Sequence, residues 1–121
     1  MKQVLVVDDS PVIRKIARRI LEGLSLQTAE AADGRHALSA CSFNMPDAIL
    51  VDAHMPALPG FDFLRELRKM PGGEKPKVVL CTVENDVAQI ARAMHAGADD
   101  FLLKPFDRDH VRTKFVNIGL C

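Results

Sequence analysis

Short apolar runs alternate with helix-periodic stretches along the whole chain. Val4–Val7 is an unbroken, mostly β-branched run, as expected for a strand buried on both faces. The polar sequence Asp8-Asp9-Ser10-Pro11 ends this run, and Ser10 followed by Pro11 predicts a helix N-cap and the first helical residue. Apolar residues then recur at helical spacing at Ile13, Ile16, Ala17, Ile20, Leu21 and Leu24. The chain therefore begins with a predicted strand and helix.

The same strand-helix unit recurs four more times. Further strands are predicted at 26–31, 48–51, 78–81 and 101–103, and further helices at 35–41, 61–69, 87–94 and from Asp107 onwards. Strands joined by helical crossovers lie parallel, and right-handed crossovers place helices on both faces of the sheet. The pattern predicts a doubly wound α/β fold with a five-stranded parallel sheet, in one domain over residues 1–121.

Size and charge limit the function. A chain of 121 residues has room for one domain, and 48% hydrophobic with 26% charged residues is ordinary globular composition. Sixteen basic and sixteen acidic residues cancel, which removes the positive field that nucleic-acid binding usually needs. We therefore expect no direct nucleic-acid partner.

The cysteines and the N-terminus bear on location. Cys41, Cys81 and Cys121 are an odd set without C-x-x-C spacing, which argues against a disulfide framework or a zinc site. No apolar run has the length of a signal-peptide core or a membrane span. We expect a cytoplasmic protein without a membrane partner.

Chemically useful residues follow four of the five predicted strands. Asp8 and Asp9 follow the first, Asp52 the third, Thr82 the fourth and Lys104 the fifth. The carboxyl ends of parallel strands meet at one edge of the sheet, where doubly wound folds bind their ligands. These residues should therefore converge, although each alone has an ordinary reading as a loop residue, a helix cap or a surface lysine.

The expected cluster suits phosphoryl chemistry. Each pair of carboxylates at ~5 Å repels by roughly 3 kcal/mol at an effective dielectric of ~20, so a cation is needed. Mg²⁺ is coordinated by carboxylate oxygens and can bind phosphate oxygens at its remaining coordination positions. Lys104 supplies a fixed positive charge. Asp52 is then the candidate nucleophile toward phosphorus, while Asp8 and Asp9 are the candidate metal pair. The Thr82 hydroxyl could then donate to a phosphoryl oxygen.

At these residues the sequence resembles the receiver domains of two-component response regulators, including the single-domain chemotaxis regulators. The matching motifs are Val7-Asp8-Asp9-Ser10, Asp52-Ala53-His54-Met55-Pro56 with Gly60, Cys81-Thr82, and Phe101-Leu102-Leu103-Lys104-Pro105-Phe106. The resemblance implies a flavodoxin-like sheet of strand order 2-1-3-4-5. It also implies that a histidine kinase or a histidine phosphotransfer protein donates a phosphoryl group to Asp52.

The resemblance further assigns roles at the site. It implies that Asp9, Asp52 and the His54 backbone carbonyl ligate Mg²⁺, that Asp8 helps through water, and that Lys104 contacts the phosphoryl group after a cis peptide bond to Pro105. No organic cofactor is implied.

The resemblance also implies a conformational switch. Thr82 moves inward on phosphorylation and Phe101 follows, which alters the surface of helix four, strand five and helix five for a downstream partner. Phe101 stands where tyrosine is common, so we expect switching by packing alone. His54 and Glu84 occupy the positions that tune the phosphoryl lifetime, with Glu84 orienting the hydrolytic water and His54 obstructing it.

The first helix is the expected docking face for the phosphodonor. This helix carries four basic residues and one acid, namely Arg14, Lys15, Arg18, Arg19 and Glu22. The excess of positive charge would attract an acidic partner, although an ordinary solvated basic face is the alternative. Since the sequence stops about one residue past the last helix, we expect output through a partner, unless the chain is cut from a longer regulator.

Three other functions use related features. A haloacid-dehalogenase-type phosphatase needs an Asp-x-Asp pair after the first strand, whereas Asp8 and Asp9 are adjacent. A flavin or nucleotide binder needs a phosphate-binding loop there, where these acids would repel phosphate. A receiver that acts as a protein-interaction module without phosphorylation is the alternative that stays open.

Overall fold

The computed structural model describes residues 1–55, 57–83 and 87–121. Its strands are β1 (Gln3–Val7), β2 (Gln27–Ala31), β3 (Ala48–Asp52), β4 (Lys77–Thr82) and β5 (Asp100–Leu103). Its helices are α1 (Pro11–Gly23), α2 (Gly34–Phe43), α3 (Gly60–Lys69), α4 (Val87–His95) and α5 (Arg108–Asn117). All ten predicted elements are confirmed, with ends displaced by only one or two residues.

The five strands form one parallel sheet in the order β2-β1-β3-β4-β5, which confirms the predicted fold. Alternate residues of each central strand face opposite sides of the sheet. On one side, Val7 and Val51 join a core with Phe63 and other residues of α2, α3 and α4. On the other side, Val6 and Leu50 pack with residues of α1 and α5. Burial on both faces explains why these strands are continuously apolar.

Local polar contacts fix where the helices begin. Ser10, Asp33 and Asp107 each accept a hydrogen bond from the backbone N–H three residues later, and so cap α1, α2 and α5. Gly60 begins α3 against the end of β3, where an added Cβ would lie 2.4 Å from the Asp52 carbonyl oxygen. The absence of a side chain at Gly60 therefore lets α3 start directly beside Asp52.

The helices are short. The first of them, α1, has 13 residues, whereas a helix needs about 20 apolar residues to cross a bilayer. Within the described part of the chain, no helix combines the length and apolarity of a membrane span.

Candidate functional site

Three carboxylates meet at the carboxyl ends of β1 and β3. Asp8 and Asp9 follow the last residue of β1, and Asp52 is the last residue of β3. One oxygen of each carboxylate lies within 4.8 Å of the others. Asp8 and Asp52 are buried, with 3% and 6% of their surface exposed, whereas Asp9 is exposed to solvent. The predicted convergence of these acids is confirmed.

Lys104 brings a positive charge into this cluster from the end of β5. Its Nζ lies 2.7 Å from Asp8 Oδ2 and 3.5 Å from Asp52 Oδ2. Its backbone N–H donates to the Thr82 carbonyl at 2.7 Å, and its peptide bond to Pro105 is cis, as the resemblance implied. Burial alone would lower the pKa of the Lys104 ammonium, but the Asp8 hydrogen bond and the Asp52 charge outweigh burial and raise it. Lys104 is therefore a fixed cation at neutral pH.

One ammonium does not fully compensate the acids. Burial raises the pKa of the Asp52 carboxyl group, and the Asp8 charge raises it further. The His54 N–H, which donates to Asp52 Oδ1 at 3.3 Å, and the Lys104 ammonium act in the opposite direction. A net negative cluster of hard oxygen donors, one of them open to solvent, fits a divalent cation such as Mg²⁺.

The two residues predicted to switch lie on the strands beside this cluster. Thr82 ends β4 and is buried, with 1% of its surface exposed. It follows Cys81, the register partner of Asp52. Phe101 lies on β5, is half-buried, and has the Lys114 ammonium 4.6 Å from its ring centre. Their roles in a switch stay predictions.

Of the two residues predicted to set the phosphoryl lifetime, the structure describes His54 but not Glu84. The His54 side chain is exposed at the loop after β3, while its backbone contacts Asp52 as given above. Glu84 lies outside the described residues.

Sequence reasoning missed a link between α1 and the acidic loop. The Arg14 side chain, half-buried at the start of α1, donates from Nη1 to the Asp8 backbone carbonyl at 2.6 Å and from Nε to Glu30 Oε1 at 2.6 Å. Glu30 lies on β2, in register with Val6 of β1. Arg18 also donates to Glu30. No sequence pattern signals this link, because it depends on the side-by-side placement of β2 and β1.

This link corrects the charge expected on α1. Arg14 and Arg18 are engaged with Glu30, and their hydrogen bonds lower the pKa of that carboxyl group. They are therefore not the free cations that the sequence suggested for docking. Lys15 and Arg19, by contrast, are exposed.

Comparison with known sequences gives a consistent result. A family model described as the response regulator receiver domain matches residues 4–116. Response regulator MprA of Mycolicibacterium vanbaalenii is 39% identical over 104 residues, which cover 86% of this chain and 44% of that protein. The DNA-binding response regulator MtrA of Mycolicibacterium smegmatis is 34% identical over 105 residues, covering 87% and 45%. The chain spans less than half the length of these two relatives.

Solved structures share the whole fold. Chemotaxis protein CheY4 of Vibrio cholerae superposes with a TM-score of 0.93 at 29% identity, covering 98% of both chains. The receiver domain of sensor histidine kinase PA1611 from Pseudomonas aeruginosa gives a TM-score of 0.87 at 28% identity, covering 96% of this chain and 95% of that one. That structure has a magnesium ion coordinated in its active-site cleft.

Proposed function

Because the chain belongs to the response regulator receiver domain family, we propose that it is a phosphoacceptor in a two-component phosphorelay and that Asp52 takes the phosphoryl group from a phosphohistidine. The observation that carries this proposal is the contact of one lysine with two buried acids: Lys104 reaches both Asp8 and Asp52. A carboxylate beside a fixed cation and further metal-type ligands is equipped to attack phosphorus.

The bond changes in the transfer involve Asp52 and the donor, while Lys104, Thr82 and a bound Mg²⁺ would stabilise the phosphoryl oxygens. A carboxylate oxygen of Asp52 attacks the phosphorus atom, a P–O bond forms, and the P–N bond to the donor imidazole breaks. The electron pair of the broken bond stays on the imidazole nitrogen, and because the other ring nitrogen of the phosphohistidine carries a proton, the donor leaves as a neutral imidazole. The Lys104 ammonium offsets negative charge on the phosphoryl oxygens, and the Thr82 hydroxyl donates to one of them.

The acids at the carboxyl edge would hold Mg²⁺. Asp9, Asp52 and the His54 backbone carbonyl are the direct ligands in this proposal, and Asp8 acts through water. Bound Mg²⁺ supplies electrostatic stabilisation of a phosphoryl group that carries negative charge. The support for this assignment is the three-carboxylate cluster together with the magnesium ion in the PA1611 receiver domain.

Phosphorylation is tested without knowing the kinase. We expect the protein incubated with acetyl phosphate and Mg²⁺ to gain the mass of one phosphate, and the Asp52→Asn variant to gain none. Omitting Mg²⁺ should suppress the gain. A folded wild-type protein that gains no phosphate with either acetyl phosphate or phosphorylated histidine proteins would favour the alternative, a receiver acting as an interaction module.

The output surface in this proposal is formed by α4, β5 and α5. Val87, Met94 and Leu103 are exposed apolar residues of α4 and β5. A cleft of about 540 Å³ lies nearby, lined by residues that include Phe101 and His110. Inward movement of Thr82 and Phe101 would repack this surface for a downstream protein. Because Phe101 has no hydroxyl group, the change rests on packing.

The phosphodonor would dock on the exposed face of α1. Val12 and Ile16 are exposed apolar residues there, and Lys15 and Arg19 are exposed cations. An apolar stripe flanked by cations suits the helices of an acidic histidine kinase or histidine phosphotransfer protein. The ion-paired Arg14 and Arg18 border this face rather than forming its centre.

Removing the Arg14 side chain should loosen the acidic loop. In Arg14→Ala the Asp8 carbonyl loses its charged donor, so we expect Mg²⁺ affinity, measured by calorimetry, to fall roughly threefold to tenfold. Arg18→Ala is the matched control, since Arg18 shares Glu30 but has no contact with Asp8. Equal Mg²⁺ affinities in the two variants would show that the Asp8 contact does not organise the site.

Shortening the His54 side chain should speed loss of the phosphoryl group. We expect His54→Ala to shorten the phosphoryl half-life by roughly threefold, because a bulky exposed group beside Asp52 would no longer obstruct water. The half-life is followed by intact mass after acetyl phosphate is removed. His36→Ala, an exposed histidine on α2, is the control. An unchanged half-life would remove any role for the His54 side chain.

A further inference from the structure

A basic cleft lies between α3 and α4, away from the acidic cluster. Its volume is about 600 Å³, and it is open to solvent. The Phe61 ring, Ala91 and Ala96 provide its apolar surface. Arg65, Arg92 and His95 are among the basic residues that line it, and no carboxylate does so in the described part of the chain. The cleft shares no residue with the one beside β5 and α5.

Two of these cations lie on the aromatic ring, and neither has an acidic partner among the described residues. The guanidinium carbon of Arg92 lies 4.5 Å from the Phe61 ring centre, and that of Arg65 lies 5.9 Å from it. Neither guanidinium forms a salt bridge with an acid in residues 1–55, 57–83 or 87–121. A contact with a ring face provides no hydrogen-bond acceptor, so the guanidinium N–H groups stay available to a ligand.

The neighbouring basic residues have hydrogen-bond acceptors in the protein, whereas Arg65 and Arg92 have none among the residues that the structure describes. The Arg68 guanidinium has a structural role, since it donates hydrogen bonds to the backbone carbonyls of Gly73, Pro76 and Gly97. Lys69 pairs with Glu66 at 3.3 Å. The whole chain carries no net charge, so this pair of arginines at Phe61, which no acid in the described ranges compensates, is a local excess of positive charge. Such a site favours an anionic partner.

The open shape of the cleft favours a peptide segment over a small anionic molecule. Small-molecule sites bury most of the ligand surface, whereas this cleft is open along two helices. An extended peptide segment can lie in such a groove and contact it with alternate side chains. Carboxylates match the paired N–H groups of arginine, and an apolar side chain matches the ring and the two alanines. We propose that the α3–α4 cleft binds an acidic, partly apolar segment of a partner protein, with carboxylates on Arg65 and Arg92 and an apolar side chain on Phe61.

Binding at the cleft is tested on the unphosphorylated protein, apart from the phosphoacceptor reaction. The cleft residues take no part in the acidic cluster, so its binding and the phosphoacceptor reaction can fail separately. A charge-reversed cleft should still gain phosphate from acetyl phosphate at the wild-type rate.

The test is a titration of the full 121-residue, ¹⁵N-labelled protein. The probe is a short capped peptide of glutamates around a central pair of leucines, and the control peptide has glutamine in place of every glutamate. We expect amide shifts concentrated at Phe61, Ala91 and Ala96 with the acidic peptide only. The response should weaken as salt rises.

Charge reversal then tests the two arginines. In the double variant Arg65→Glu/Arg92→Glu, the affinity for the acidic peptide should fall by roughly tenfold or more. The control Lys2→Glu/Lys75→Glu makes the same change of charge at exposed positions away from the cleft, and should bind within about twofold of wild type. Well-dispersed spectra of both variants check the fold.

Several results would overturn the proposal. They are shifts that avoid the cleft, an equal response to the glutamine peptide, or an unchanged affinity in the Arg65→Glu/Arg92→Glu variant. Tighter binding of a single-stranded oligonucleotide to the same residues would assign the cleft to nucleic acid instead.

Discussion

Lys104→Ala should slow phosphorylation of Asp52 by acetyl phosphate about 10² to 10³-fold, the usual cost of losing one preorganised charged donor. Lys104 Nζ lies 3.5 Å from Asp52 Oδ2 in the structure. The reaction adds negative charge beside that oxygen, so losing the Lys104 ammonium should mainly lower the rate of phosphoryl transfer. The rate is measured by quenching samples and recording the phosphorylated fraction by intact mass.

The same substitution should tighten Mg²⁺ binding. Removing the ammonium from its 2.7 Å contact with Asp8 leaves the acids uncompensated, so we expect the Mg²⁺ affinity measured by calorimetry to rise roughly threefold to tenfold. A slower reaction with stronger metal binding distinguishes a lost charge from a damaged fold. Lys77→Ala, at an exposed lysine 4.0 Å from Asp99, is the control. A Lys104→Ala protein that phosphorylates at the wild-type rate would remove Lys104 from the mechanism.

Asp52→Asn should stabilise the protein in the absence of Mg²⁺ by about 1 to 2 kcal/mol at neutral pH. The pKa of the Asp52 carboxyl group is raised above its ordinary value of 3.8, first by burial. A group whose pKa is raised on folding favours the folded state when protonated, and this contribution is lost as pH rises through the folded-state pKa. At neutral pH the ionised Asp52 therefore destabilises the native protein, and asparagine removes this effect.

Two dependences identify the cause. The stability difference between Asp52→Asn and wild type should shrink as the pH falls from neutrality through the folded-state pKa of Asp52, because the protonated acid resembles the amide. Added Mg²⁺ should stabilise wild type more than the variant, since it binds the native acids. Urea unfolding followed by circular dichroism measures both. A variant less stable than wild type at neutral pH without Mg²⁺ would show that the site is not electrostatically strained.

The sequence predicts the site as far as strand ends determine it. Asp8 and Lys104 each follow a strand that the sequence pattern identifies, Asp52 ends another, and the parallel topology brings those strand ends to one edge. Pattern alone therefore places groups 96 residues apart in contact. Helix bounds are less exact: α2 was predicted from residue 35 and begins at Gly34, because the Asp33 cap sets its start.

Features that depend on side-chain reach between neighbouring elements could not be predicted. Arg14 donates both to the Asp8 carbonyl and to Glu30 on the adjacent strand, and this pair of contacts depends on how β1, β2 and α1 lie together. The cation pair on Phe61 likewise depends on the spacing of α3 and α4. Hydrophobic periodicity specifies which face of an element is buried, but not where long polar side chains end.

The most direct test locates the phosphoryl group itself. The phosphorylated protein is treated with borohydride, which reduces an aspartyl phosphate to homoserine, and the digest is read by tandem mass spectrometry. Homoserine at position 52, in amounts that follow the phosphorylated fraction, is the predicted result. Homoserine at position 8 or 9, or a phosphate retained on a histidine with position 52 unmodified, would contradict the assignment of Asp52 as the phosphoacceptor.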